Sequence, residues 1–232
     1  MSGALRVAIV GAGGRMGRFA KDLLSRTSGF EIVAEIGRAD DLAGVLRRSR
    51  PQVGLEVTRA GRGFEHGAAM LECGVRPLIG TSGVSLEENA RLDAIARELS
   101  LGGLVVPNFS LGMWLLQRAC VEAGSHFSKA EIIEMHHEKK PDAPSGTALD
   151  TAERMRAARP RGAAEIAIHS VRLPGMYSHQ EVILGSEGET YTLRHDMSGP
   201  EAFGPGIVAG VRYAASAVGV GRGIGLAFEA GR

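Results

Sequence analysis

The sequence predicts an α/β protein: a Rossmann-type parallel-sheet domain joined to a second, α+β domain carrying a mixed or antiparallel sheet. Three observations predict it. A dense apolar run over residues 5–10 passes straight into Gly11, Ala12, Gly13, Gly14, Arg15, Met16 and Gly17 and then into a helical pattern, the strand, turn and helix order of a dinucleotide-binding unit. Short apolar runs then alternate with amphipathic stretches as far as Val106, as parallel strands joined by crossover helices require. From Glu165 onward strand-like runs follow one another across short turns at Gly175 and Ser186-Glu187-Gly188, which suits neighbouring strands of an antiparallel or mixed sheet. The expected division is a dinucleotide-binding domain over 1–107 plus 201–232 and a second domain over 108–200.

The glycine turn justifies the first element. Glycine lets the backbone turn sharply and lets a pyrophosphate approach the helix N-terminus with no Cβ in the way. The spacing G-x-G-x-x-G fails because its third glycine would be Met16; Gly11, Gly14 and Gly17 give G-x-x-G-x-x-G instead. Gly11, Ala12, Gly13, Gly14, Arg15 and Met16 are therefore expected to bind the cofactor. The second strand, residues 32–36, leads into Gly37 and Arg38. An NAD-specific unit usually has an acidic residue here, about 20 residues beyond the glycines, to bind the ribose hydroxyls. With no carboxylate to repel a 2′-phosphate, and an arginine fork able to bind one, Arg38 predicts NADPH as the preferred cofactor. Glu35, Asp40 and Asp41 lie close, so NADH is the second candidate.

Residues 41–48 read as a short helix, 52–57 as a third strand ending at Thr58-Arg59, and 63–73 as a helix. Residues 76–79 form a fourth strand capped by Gly80, Thr81, Ser82 and Gly83; 86–99 are an amphipathic helix; 103–106 are a fifth strand running into Pro107, Asn108 and Phe109. Ligands of open α/β sheets lie at the carboxyl ends of the strands, where all these turns fall. A long helix spans 113–127, with Met113 and Trp114 as core, and a strand spans 130–135. A helix runs to about Ala158, and a turn is expected at Arg159-Pro160-Arg161-Gly162. Strands follow over 165–173, 179–184 and 190–195, then a helix over 207–218. The glycine-rich tail over 219–223 is expected to order poorly.

The densest chemistry lies in residues 134–149, EMHHEKKPDAPSGTAL. His136 and His137 fall at or just past a strand end and point to opposite faces. Histidine's ordinary pKa lies nearest neutrality, so an imidazole flanked by Lys139 and Lys140 suits proton donation. Pro144, Ser145, Gly146 and Thr147 open a helix, with Ser145 or Thr147 as its cap, and such a terminus binds carboxylate or phosphate. An acid, a cation and an anion cradle together suit a small anionic substrate receiving a proton. His136, His137, Glu138 and Asp142 contain no i, i+4 histidine pair and no cysteine lies near, so no metal is expected.

Composition narrows the classes. A net charge of +1 over 232 residues offers no electrostatic case for nucleic acid or a membrane surface. Cys73 and Cys120 form no CxxC pair, which favours free thiols in a reducing compartment. Residues 5–10 are too short for a secretory core and no apolar run reaches a membrane span, so a soluble cytoplasmic protein is expected.

Glu134, His136, His137, Lys140, Asp142, Ala143, Pro144, Ser145, Gly146, Thr147 and Ala148 strongly resemble the signature of the dihydrodipicolinate reductase (4-hydroxy-tetrahydrodipicolinate reductase) family. The resemblance implies NAD(P)H-dependent reduction of a cyclic dicarboxylate in the diaminopimelate branch of lysine biosynthesis. It implies His136 as proton donor or acceptor, Lys140 as second general acid, and His137, Ser145, Gly146 and Thr147 as grips for the substrate carboxylates. Gly80, Thr81 and Ser82 resemble a family turn beside the nicotinamide and substrate; Val106, Pro107, Asn108 and Phe109 resemble another segment at the nicotinamide end. Residues 179–182 and 187–190 resemble the sheet through which members form tetramers, so a homotetramer is implied, with 108–200 as the substrate-binding and oligomerisation domain. Two departures stand out. The third strand ends Glu56-Val57-Thr58 where the family commonly has Asp-Phe-Thr, and residues 197–201, Met-Ser-Gly-Pro-Glu, lack the arginine that members often carry near the substrate. The second departure keeps two alternatives in view: a reductase of another cyclic imine or enamine, and a non-catalytic NADP(H)-binding sensor.

Overall fold

The computed structural model describes residues 3–159 and 162–231, and the chain divides into two compact units, Met1–Phe109 with Phe203–Arg232, and Ser110–Ala202. In the first unit the chain runs β1 (Leu5–Val10), α1 (Arg15–Arg26), β2 (Phe30–Ile36), α2 (Leu42–Ser49), β3 (Val53–Glu56), α3 (Gly63–Glu72), β4 (Arg76–Ile79), α4 (Leu86–Glu98) and β5 (Gly102–Val105). These five strands form a parallel sheet in the order β5-β4-β3-β1-β2. The order reverses direction between β1 and β3, the switch point at which such sheets bind ligands. Val7, Ala8, Ile9, Val53, Leu55, Leu78 and Leu104 are wholly buried, which is why these strands read as unbroken apolar runs. Each fully buried aliphatic side chain contributes about 1.5–3 kcal/mol. The helix boundaries follow capping chemistry: Asp41 accepts from the Gly44 N–H to start α2, and Ser85 with Glu88 closes a reciprocal capping box on α4.

The second unit contains α5 (Leu111–Gly124), β6 (Lys129–His136), α6 (Gly146–Ala158), β7 (Ala167–Arg172), β8 (Ser178–Ser186) and β9 (Glu189–Met197). Its sheet order is β7-β6-β8-β9, with β7 parallel to β6 and the other two pairings antiparallel. The sheet is mixed because α6 carries the chain back to the start of β7, whereas β8 and β9 are joined by the turn at Gly188. Met113, Leu116 and Cys120 of α5 and Ala148, Ala152 and Met155 of α6 pack on Ile132, Val182 and Leu184. Trp114, expected as core, is only partly buried and stacks under the Arg118 guanidinium. Pro160 and Arg161 of the expected turn lie outside the described residues.

The chain then returns to the first unit with α7 (Gly204–Ser216), β10 (Gly219–Arg222) and α8 (Gly225–Ala230). Here the expectation of a poorly ordered tail is corrected. Strand β10 pairs in parallel with β5 and makes the sheet six-stranded. Two long-range hydrogen bonds hold it: Asp93 accepts from the Val220 N–H at 2.8 Å, and Asn89 donates to the Val220 carbonyl at 3.1 Å. Glycine weakens a strand by its entropy, but Gly102 and Gly206 show what the small residues permit. A Cβ at Gly102 would collide with the Ala217 carbonyl, and one at Gly206 with that of Phe109.

Candidate active site

In the first unit a cavity of about 660 Å³ opens at the sheet's switch point. Gly11, Gly13 and Gly14 form one wall, Gly37, Arg38, Asp40 and Asp41 a second, and Thr58, Arg59, Arg62 and His66 a third. The glycines are needed for space and backbone conformation. Gly11 has φ +93°, and a Cβ on it would lie 2.8 Å from the Val57 carbonyl; a Cβ on Gly17 would collide with the Gly11 carbonyl. Helix α1 therefore begins very close to β1. Its N-cap, Gly14, has no side chain to bond the first-turn amides, and the first turn contains no acid. That is the cradle a pyrophosphate fits.

The acids near Arg38 each have a partner. Asp40 accepts from the Gly37 N–H at 2.7 Å, Asp41 caps α2, and Glu35 pairs with Lys21 at 2.6 Å. Arg38 is exposed on the cavity wall. Ala12 is buried, while Arg15 and Met16 belong to the first turn of α1 and do not line the cavity. The turns after β4 and β5 stand on the opposite side of β3 from β1 and β2. There Thr81 is buried with its hydroxyl unpartnered among the described residues, Ser82 is exposed, and Gly80 is packed under the Phe109 ring. Val106 is wholly buried and donates its N–H to Ile79, and Phe109 is also buried, whereas Pro107 is exposed and Asn108 partly so.

In the second unit the signature folds around one carboxylate. Glu134 is fully buried on β6. Its Oε1 accepts from Arg172 Nη2 at 2.7 Å and the Ser145 N–H at 3.2 Å; its Oε2 accepts from Arg172 Nη1 at 3.0 Å and His136 Nδ1 at 2.5 Å. Glu134 and His136 share a face of β6 because they are two residues apart. Arg172 reaches them because β7 pairs in parallel with β6, in register His136↔Arg172. Burial pushes the Glu134 carboxyl up, but the hydrogen bonds from Arg172, Ser170 and His136 outweigh it and hold the group below its ordinary value. Since Glu134 only accepts, Nδ1 of His136 carries a proton and Nε2 is left to face Ser178 Oγ at 3.2 Å. Burial, reinforced by Lys140 and Arg172, lowers the His136 pKa despite Glu134.

Lys140 Nζ is paired with both oxygens of Asp142, at 2.7 and 2.8 Å, and that pairing lowers the Asp142 pKa. The Ser145 hydroxyl is buried and accepts from the Ala148 N–H, so Ser145 is the cap of α6 and its side chain is turned inward. Gly146 is exposed, and a Cβ there would meet nothing within 4 Å. Internal packing does not require that glycine, so the open backbone is available to a ligand. His137 is partly buried, and its carbonyl accepts from the Lys140 N–H. Sequence reasoning missed Arg172 and the anchoring role of Glu134. The i, i+2 spacing to His136 was a signal for Glu134; nothing local pointed to Arg172, which is 38 residues away. The Glu56–His66 pair beside the nucleotide cavity was missed as well.

A parallel Rossmann sheet with a glycine-lined switch-point cavity, joined to a unit holding a carboxylate-anchored imidazole, defines a pyridine-nucleotide-dependent oxidoreductase. Residues 5–109 match the family model described as dihydrodipicolinate reductase, N-terminus, and residues 112–222 match that described as dihydrodipicolinate reductase, C-terminus. The chain belongs to the dihydrodipicolinate reductase family. It is 42% identical over 222 residues to the 4-hydroxy-tetrahydrodipicolinate reductase of Coxiella burnetii, covering 90% of this chain and 93% of that protein. It is 39% identical over 249 residues to that of Moorella thermoacetica, with 91% and 93% covered. The dipicolinate-bound dihydrodipicolinate reductase from Paenisporosarcina sp. TG-14 superposes with a TM-score of 0.84 at 31% identity, over 95% of this chain and 98% of that one.

Proposed function

We propose that the chain carries out its family's reaction, the NAD(P)H-dependent reduction of 4-hydroxy-tetrahydrodipicolinate (dihydrodipicolinate) to tetrahydrodipicolinate in the diaminopimelate branch of lysine biosynthesis. The observation that carries this reading is the Glu134, His136 and Arg172 constellation beside the opening of α6. The reduced dinucleotide, when bound, supplies the hydride. Gly11, Gly13 and Gly14 hold its pyrophosphate. Thr81, Ser82 and residues 106–109 stand at the strand ends that would take its nicotinamide half. In its protonated form His136 carries the transferable proton at Nε2, with the Nδ1–H anchored on Glu134. Lys140, steadied by Asp142, supplies positive charge and the second acid. His137 and the Gly146 and Thr147 amides grip the substrate carboxylates.

NADPH is the preferred cofactor, because Arg38 faces the cavity, while Asp40 and Asp41 on the same wall each accept a backbone N–H and Glu35 is paired with Lys21. The protein acts in the cytoplasm as a homotetramer built through the sheet of the second unit. Among the described residues no helix is long and apolar enough to cross a membrane, and Cys73 and Cys120 are free thiols. The deciding assay couples the enzyme to freshly made dihydrodipicolinate synthase product and follows NADPH absorbance. His136→Ala should lose at least about a hundredfold in turnover; retention of more than about a tenth contradicts the role. A preference for NADH of about tenfold or more in kcat/KM contradicts the assignment to Arg38. One observation favours a second reading. Residues 197–201 contain no cation, and Arg172 does not replace it, since its guanidinium is bound to Glu134 and to the Asp142 carbonyl. Turnover of another cyclic imine in preference to the synthase product would favour that reading.

A further inference from the structure

Beside the nucleotide cavity, the last residue of β3, Glu56, is a fully buried carboxylate. All of its hydrogen bonds fall on Oε1, which accepts from the Thr58 hydroxyl, from the Thr58 N–H at 3.2 Å and from His66 Nδ1 at 3.1 Å; Oε2 has no partner among the described residues. An oxygen already accepting from two donors cannot itself supply a proton to the ring, so the network assigns the proton to Nδ1 of His66. In the uncharged imidazole Nε2 is then a bare acceptor. His66 lies one turn into α3, on the cavity wall, next to apolar surface from Leu42, Ala43 and Ala69. The ribose 2′ position belongs beside the loop after β2, where Gly37 and Arg38 stand. A flat heteroaromatic base fits the apolar wall instead, and its exocyclic amine offers the donor that an acceptor nitrogen requires.

We infer that His66, held in one tautomer by Glu56, is a specificity-determining residue that accepts a hydrogen bond from the exocyclic amine of the cofactor's adenine. The inference rests on the cavity taking the dinucleotide, as proposed above. It predicts selection against a base that places a carbonyl oxygen in the amine's position, because two acceptors would then face each other.

The test is equilibrium binding, at mildly alkaline pH, of NADPH and of its deamino analogue, which carries hypoxanthine in place of adenine, read by nucleotide fluorescence. Wild-type protein should bind NADPH at least about tenfold more tightly than the analogue, the scale of an unpaired buried polar group. The His66→Asn side chain can still donate to Glu56 but has nothing at the Nε2 position, so the ratio should fall to within about twofold of unity. Melting of the cofactor-free variant establishes that it is folded, and His66→Gln, which restores an acceptor oxygen near Nε2, serves as the rescue. A purely structural His66 predicts that Asn keeps the wild-type ratio, and that result overturns the inference. So does a wild-type ratio within about twofold of unity. If wild-type protein binds neither nucleotide, the cavity itself has been misassigned and the proposed function fails with it.

Discussion

Replacing Glu134 by glutamine keeps the side-chain volume and removes the charge on which His136, Arg172 and the Ser145 amide converge. The amide has a single acceptor oxygen for the donors that converge there, and in either orientation its NH₂ must face an Arg172 N–H together with the Ser145 N–H or the imidazole. Removing one partner of a buried ion pair costs about 3–5 kcal/mol. The Arg172 side chain keeps 18% of its surface in water, which places the expected loss near the lower end, about 3 kcal/mol. For a chain of this size each kcal/mol corresponds to about 2–4 °C, so Tm should fall by roughly 6–12 °C. The gap between the two proteins should narrow in acid. The folded-state pKa of Glu134 is depressed, so its stabilisation is complete above the ordinary carboxyl range and is lost as pH falls through the depressed value. Activity should suffer separately. With Nδ1 no longer anchored, the ring loses both orientation and the nearby charge that favours its protonated form, and kcat/KM should drop by about tenfold or more. Differential scanning calorimetry across pH and steady-state kinetics on folded variant at low temperature measure the two effects. A variant melting within about 2 °C of wild type with kcat/KM within about twofold would refute the anchoring role.

Three further outcomes are expected. The pKa of His136 is lowered by burial from the ordinary value of 6.5, so if its protonated form is the donor, kcat/KM in wild type should fall as pH rises through a midpoint below that value; a flat profile there assigns the proton to another group. Gly146→Ala adds a methyl that touches nothing in the protein and improves helix propensity, so Tm should hold or rise slightly while KM for the cyclic substrate rises about tenfold. Asp93→Ala removes the acceptor for the Val220 N–H and the partner of Arg97 and should cost about 1–2 kcal/mol, with faster amide exchange confined first to β10. The Asp93 pKa is held down by its bond from Arg97, so this contribution too disappears as the solution is acidified through the depressed value.

Local signals carried far in the first unit and less far in the second. Strand β1, the glycine turn and α1 were legible because burial on both faces, left-handed φ at Gly11 and close packing at Gly17 each demand particular residues at particular places. The tail was misjudged because glycine content measures the tendency of an isolated segment. Strand β10 exists because β5, Asn89 and Asp93 satisfy its backbone from more than 100 residues away. In the second unit the histidines, Lys140 and the capped opening of α6 were visible as a cluster. Which of them face inward was not. Ser145 turns its hydroxyl into the cap, and Lys140 is held by Asp142.

By itself the sequence determined the alternation of strands and helices, the glycine cradle and the residue types in the signature, since periodicity, turn chemistry and capping act over a few residues along the chain. Only the tertiary structure decided that the passage from β3 into α3 places His66 on Glu56, and that β7 runs parallel to β6 and so delivers Arg172 to Glu134. A buried charge must find partners wherever the fold can bring them, and that requirement leaves no mark in the neighbouring sequence.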